Sequence, residues 1–212
     1  MHASFQPPFD FSVFERLILE RNFLAPLDDQ LSRIDLVSFD LFDTLVRRPF
    51  LRPVHLFDWI EREEGLHGFG AARRDAERSA RQKLHFKPDI TIGDIYECLP
   101  EFPVRDIEER YELAALRPRP DIVEFFRYVK GRGFRTAVVS DMYLDYSTVR
   151  RLLDKIGVDP DFLILSQHDG TVKHDGGSFQ KLMLLSGVSA QRILHIGDNR
   201  HADFQASSRL GM

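Results

Sequence analysis

Five polar residues of the 212-residue chain stand where short apolar runs end, and their types fit one chemistry. Asp40 closes IDLVSF, Ser140 closes RTAVV, and Asp198 follows RILHIG with Asp203 five residues beyond it. Lys173 lies in the loop after FLIL, 25 residues before Asp198. A carboxylate such as Asp40 can attack phosphorus to form an aspartyl-phosphate, which divides a difficult hydrolysis into two easier steps. Mg²⁺ favours a few carboxylates together with water and a substrate phosphate, so Asp40, Asp198 and Asp203 form a candidate metal set. Lys173 can place a point charge on Asp40 and on phosphoryl oxygens, while Ser140 donates to another oxygen. Each residue is ordinary when taken singly, because a strand-end Asp or Ser usually shapes a turn and a lone Lys is usually solvated. Their joint occurrence at successive strand ends is the signal.

The elements that must position these residues alternate between strand and helix. Ile34–Phe39 is an apolar, β-rich run of the kind that forms a strand buried on both faces. Helical patterns over 120–131, 147–156 and 178–186 alternate with strand patterns over 135–139, 162–165 and 192–196. Ser147 is the expected cap of the second of these helices. Such alternation predicts a Rossmann-like parallel sheet, an α/β core with right-handed crossovers and its ligand site at the carboxyl ends of the strands. Residues 51–117 break the alternation with four helix-like stretches and almost no strand signal, so they read as an inserted helical cap. The core is then 31–50 with 118–212. Residues 1–30 are an N-terminal extension whose apolar spacing from Phe11 to Asn22 suits a short amphipathic helix.

Composition narrows the function classes. Hydrophobic residues make up 43% and charged residues 29%, enough to bury a sizeable core and incompatible with global disorder. Lys plus Arg number 29 against 33 Asp plus Glu, so no basic excess marks a nucleic-acid partner. Cys98 is the single cysteine and can form no internal disulfide. No apolar run approaches the roughly 18 residues that span a membrane. The expectation is a cytoplasmic enzyme with no nucleic-acid or membrane partner.

These residues resemble the motifs of the haloacid dehalogenase-like (HAD) superfamily. FDLFDTL is similar to its first motif, with Asp40 in the nucleophile position and Thr44 four residues later. VVSDM is similar to the second, which implies phosphate binding by Ser140 beside Asp141. Lys173 followed by Phe179 resembles the third, and HIGDNRHAD the fourth, with Asp198 and Asp203 as its acidic pair. The insert occupies the place of the family's early, C1-type cap. The resemblance implies a Mg²⁺-dependent phosphohydrolase or phosphotransferase acting on a small phosphorylated metabolite, a sugar phosphate being one candidate. It implies metal ligation by Asp40, the backbone carbonyl of Phe42, Asp198 and Asp203. The chain also resembles predicted hydrolases found alone or beside glycosyltransferase modules in bacterial surface-polysaccharide pathways.

Two departures from the family pattern open alternatives. Phe42 stands where the usual phosphatase form carries an Asp that serves as general acid and base, and the neighbouring Asp43 is the nearest replacement. The chain stops at Gly211-Met212, where relatives continue into at least one more strand. Either a further domain or a glycosyltransferase module lies beyond the C-terminus, or the sheet is one strand short. The competing functions are a catalytically weak or inactive regulatory or scaffold domain, which Phe42 favours, and a metal-free dehalogenase, which the acidic pair disfavours. In the insert, Arg73, Glu77 and Arg81 share one helix face. A solvated, salt-bridged surface is the plain reading, and recognition of a substrate anion by Arg73 or Arg81 is the sharper one. Phe57, Trp59, Phe69 and Tyr96 read as cap core, and His195 as a satisfied core histidine.

Overall fold

The computed structural model describes residues 31–83 and 89–212. The extension at 1–30, with its expected helix from Phe11 to Asn22, lies outside the described residues. Strand β1 (Leu36–Phe39) forms where the sequence is apolar on both faces, and all four of its residues are buried. It pairs in parallel with β4 (Arg135–Ser140) on one side and β6 (Ile193–Ile196) on the other. Strand β5 (Phe162–Leu165) adds to β4, giving an all-parallel sheet in the order β5-β4-β1-β6. The chain runs outward through β1, β4 and β5, then returns to place β6 on the far side of β1. Ligands bind at such a reversal of strand order.

Helices cover both faces of the sheet. Helix α5 (Pro120–Gly131) places Phe126 edge-on against Phe39, with ring centroids 5.4 Å apart. On the opposite face, Phe179 and Leu182 of α8 (Gly177–Ser186) pack on Leu36, Ala137, Val139, Ile164 and Ile193. Helix α6 (Tyr146–Ile156) starts one residue before the expected point. Ser147 therefore lies inside it and makes no cap, while Gly157 ends it in the left-handed conformation that glycine adopts at low cost. The short helix α7 (Ser166–Asp169) follows β5, and a π-helical turn (Arg200–Gln205) runs into the short helix α9 (Ala206–Arg209) after β6.

Between β1 and α5 the chain leaves and re-enters through a two-stranded antiparallel ribbon, β2 (Val46–Arg47) with β3 (Arg117–Pro118). It encloses four helices: α1 (His55–Glu64), α2 (Phe69–Gln82), α3 (Ile92–Glu97) and α4 (Arg105–Ala115). Helix α3 begins with a reciprocal cap, in which the Thr91 hydroxyl accepts from the Asp94 N–H and the Asp94 carboxylate accepts from the Thr91 N–H. Leu56, Phe57, Ile60, Phe69, Ile95 and Leu99 bury a core of the insert's own. Phe57 and Phe69 are edge-on within it, as are Trp59 and Tyr111 at its margin. The aromatic residues of the insert are thus packing groups. The insert meets the rest of the chain at α6, where Thr148 donates to Glu109 at 2.6 Å, and at the loop after β4, where the Tyr143 carbonyl accepts from the Ile92 N–H at 2.8 Å. No helix among the described residues is long and apolar enough to cross a membrane.

Candidate active site

At the carboxyl ends of β1, β4 and β6 lies a cleft of about 350 Å³. Asp40, Ser140, Lys173, Asp198 and Asp203 all line it, as do Phe42, Asp43, Asp141 and Arg81. The fold thus brings together residues up to 163 positions apart in the chain, because all of them but Arg81 close or follow strands that end at the same edge. Asp40 extends the β1 ladder by one bond, its N–H donating to the Ile196 carbonyl at 2.8 Å. The loop then folds tightly, with the Leu41 carbonyl accepting from both Leu45 and Val46 N–H groups. Asp43 adopts φ 59°, the one left-handed non-glycine residue among those described. Asp tolerates that region better than most side chains. Its carbonyl accepts from Arg119 at 3.0 Å.

Lys173 is buried at the centre. Its Nζ donates to Asp40 Oδ1 at 2.6 Å and to Asp203 Oδ1 at 2.5 Å. The lysine is positioned from its backbone, since its N–H donates to both oxygens of Asp141 at 3.0 Å. Asp203 is gripped further by the Asn199 N–H at 2.9 Å and by His195 Nε2 at 3.2 Å. The other ring nitrogen of His195 meets the Ser38 hydroxyl at 3.0 Å, and Phe179 stands edge-on to the ring. His195 is therefore a satisfied core histidine, with one specific duty: it orients an acid of the site. The buried polar Ser38, in an otherwise apolar strand, is explained by that contact. Gly197 is dictated by close approach, because a Cβ there would stand 2.3 Å from the Asp203 carboxylate.

Three carboxylates crowd this edge, and their electrostatics differ. Burial pushes Asp40 up to about 6, against the opposing pull of Lys173 and with the help of the Asp203 charge. Burial also acts to raise Asp203, but the His195 hydrogen bond and the Lys173 charge hold it well below the usual carboxylate range. Asp198 is exposed yet raised by partial desolvation and by the charges of Asp203 and Asp43. Burial works against the ammonium of Lys173, but the two acids overcome it and keep its pKa above the ordinary lysine value. Ligand oxygens of Asp40, Asp198 and Asp203 lie within 4.8 Å of one another. That hard, all-oxygen set fits a divalent cation. Thr44 is buried behind the site and its hydroxyl points at Asp198 at 3.4 Å.

The two arginines expected to recognise substrate separate. Arg81 borders the cleft and pairs with Glu77 and with Asp89, another cleft residue. Arg73 does not reach the cleft. It is wholly buried in the insert, with both faces of its fork on Glu108 at 2.7 Å and its guanidinium 4.4 Å from the centre of the Phe57 ring. Helical spacing placed it on a face with Arg81, but Glu108 of α4 takes its guanidinium, so the arginine serves the insert's interior.

A cation escaped the sequence reading. Arg48, the first residue past β2, lines the cleft with its guanidinium carbon 4.4 Å above the Phe42 ring. Its position eight residues beyond Asp40, at the entry to the insert, was the available signal.

The sheet is parallel and covered on both faces, and its switch-point cleft holds a lysine-bridged pair of acids with a third carboxylate, a site with a carboxylate nucleophile available for hydrolysis. The chain belongs to the haloacid dehalogenase-like hydrolase family, whose model matches residues 34–211. Among solved structures, it is similar in fold to a HAD phosphatase from Thermococcus onnurineus, at 17% identity and TM-score 0.61, with 84% of each chain covered. It is likewise similar to a 2-haloacid dehalogenase from Pseudomonas syringae pv. Tomato DC3000, at 18% identity and TM-score 0.59, again with 84% of each chain covered. A third is the putative HAD-hydrolase YfnB from Bacillus subtilis bound to magnesium, at 15% identity and TM-score 0.59, covering 85% of this chain and 86% of that one. No curated protein matches the chain by sequence.

Proposed function

We infer that the protein is a Mg²⁺-dependent phosphohydrolase that works through an aspartyl-phosphate on a small phosphorylated metabolite, with the helical insert as the cap over its cleft. The observation that carries this reading is Asp40 bonded to Lys173 beside Asp203 and Asp198 in one cleft. Asp40, Asp198 and Asp203, with the Phe42 carbonyl, would hold the ion, which supplies charge neutralisation between carboxylates and phosphate. An oxygen of Asp40 attacks phosphorus as the ester P–O bond breaks and its electron pair leaves with the substrate oxygen. Ser140 and Lys173 donate to the phosphoryl oxygens. Water then attacks the phosphorus of the aspartyl-phosphate, releasing phosphate and restoring the Asp40 carboxylate. Phe42 offers no proton at either step, so activated leaving groups are favoured. A metal-free dehalogenase fits less well, since three acids around one site repel an anionic substrate when no cation offsets them.

The test is turnover across a panel of phosphorylated metabolites and aryl phosphates with Mg²⁺ and with EDTA. Activity that needs the metal and is lost in Asp40→Asn is expected. An Asp40→Asn variant keeping more than about a tenth of wild-type turnover refutes the covalent route. Silence across the whole panel refutes the hydrolase reading and leaves a binding or scaffold domain.

A further inference from the structure

The cations that line the cleft differ in how fully they are engaged. Lys173 places two of its three N–H donors on Asp40 and Asp203, and Arg81 is paired with Glu77 and Asp89. Arg48 is held by one atom only. Its Nε donates to Glu112 Oε1 at 2.7 Å, while its two terminal nitrogens make no hydrogen bond to any described residue. The side chain is nonetheless only 10% exposed, and its guanidinium is fixed over the Phe42 ring. Glu112 is itself buried on α4, one turn from Glu108, which Arg73 holds. The insert therefore clamps Arg48 from behind, and the aromatic ring fixes its plane. Such a guanidinium has already lost its rotamer freedom, so little further ordering opposes a bidentate contact with an oxyanion.

Phe42 follows Asp40 by two residues, and Asp40, Phe42 and Arg48 line the same cleft, with the Arg48 guanidinium above the Phe42 ring. We propose that Arg48 determines specificity by binding a second anionic group, a carboxylate or a further phosphate, carried on the leaving-group part of the substrate. The preferred substrates are then phosphomonoesters with two anionic ends, the first bound at Asp40 and Ser140 and the second at Arg48. This rests on the phosphohydrolase reading for the first end only. The cleft volume of about 350 Å³ accommodates a molecule of that size.

The experiment measures binding to the Asp40→Asn protein with Mg²⁺ by calorimetry, using ligand pairs that differ in one end. 3-Phosphoglycerate against glycerol 3-phosphate tests a carboxylate, and fructose 1,6-bisphosphate against fructose 6-phosphate tests a second phosphate. At least a tenfold preference for the doubly anionic member is expected in one pair. Removing Arg48 alone leaves Glu112 buried without a partner, so the variant used is Arg48→Gln with Glu112→Gln, which keeps a neutral hydrogen-bonding pair in place. The preference should fall below threefold in it, while binding of glycerol 3-phosphate or fructose 6-phosphate changes by less than threefold. Absence of preference in both pairs, or a preference that survives in the double variant, overturns the proposal. A wild-type enzyme that turns over nothing while the binding pattern holds would refute the hydrolase reading and leave the Arg48 subsite standing.

Discussion

Replacing Lys173 with Met removes one buried charge with little change in side-chain volume, and its two acidic neighbours determine the consequence. The ammonium bridges Asp40 at 2.6 Å and Asp203 at 2.5 Å, so its loss leaves two buried carboxylates facing each other. Breaking such a pair costs about 3–5 kcal/mol when both charges persist. They need not persist. Asp40 already titrates at about 6 with Lys173 present, held up by burial and by the Asp203 charge. Without the lysine, which pulls both carboxyls down, the proton on the pair is held to higher pH than in the wild type. In the wild type, the raised Asp40 pKa means that stability falls as pH rises from the unfolded carboxylate value to about 6, then stays flat. In the variant the fall continues beyond pH 6. The gap in unfolding free energy should therefore widen from pH 6 to pH 8, with a slope of up to about 1.4 kcal/mol per pH unit for one proton. Urea melts of both proteins in EDTA at the two pH values measure it. A gap that is equal at pH 6 and pH 8 refutes the account of Lys173 as the counter-charge of a desolvated pair. Turnover at pH 7 should drop by about a hundredfold to a thousandfold, because the phosphoryl oxygens lose a charged donor and the nucleophile is shifted toward its protonated form.

Gly197→Ala puts a methyl group 2.3 Å from the Asp203 carboxylate, so it should displace that acid and weaken Mg²⁺ affinity at least tenfold, read by calorimetry. Unchanged affinity would mean that Asp203 is not a ligand. Arg73→Met leaves Glu108 buried without its counter-charge, bonded only by the Tyr96 hydroxyl, and should lower stability by about 3–5 kcal/mol in urea while kcat at 20 °C stays within about threefold. A selective loss of substrate affinity with normal stability would return Arg73 to the binding site. Phe42→Asp should raise turnover of aryl phosphates at least about tenfold by supplying a base for the attacking water. The gain should be smaller with alkyl phosphates, since Arg48 at 4.4 Å from the present ring favours the ionised form of the new acid. A variant with no gain on either class indicates that water activation does not limit the reaction.

The sheet was legible in the sequence because its information is local. A strand buried on both faces is apolar along nearly its whole length, as Leu36–Phe39 is but for Ser38 and as Val138–Val139 and Ile164–Leu165 are, and the polar residue that ends such a run lies at the sheet edge. That logic alone places Asp40, Ser140 and Asp198 together. The helices of the insert were legible for the same reason, since a 3.6-residue apolar period is a property of neighbours in the chain. What covers a helix face is not. Arg73 and Arg81 share a face of α2, yet the first meets Glu108 of α4 in the interior and the second meets solvent and the cleft residue Asp89. His195 read correctly as a core residue, but its bond to Asp203 depends on the return of the chain after β6, which local spacing does not encode. Arg48 is the sharpest case. Its sequence neighbours give a surface arginine at the start of a loop, and only Glu112, 64 residues away, and the Phe42 ring turn it into a fixed donor. A long cationic side chain takes its role from whichever anion or ring can desolvate and hold it, and those partners come from distant parts of the chain.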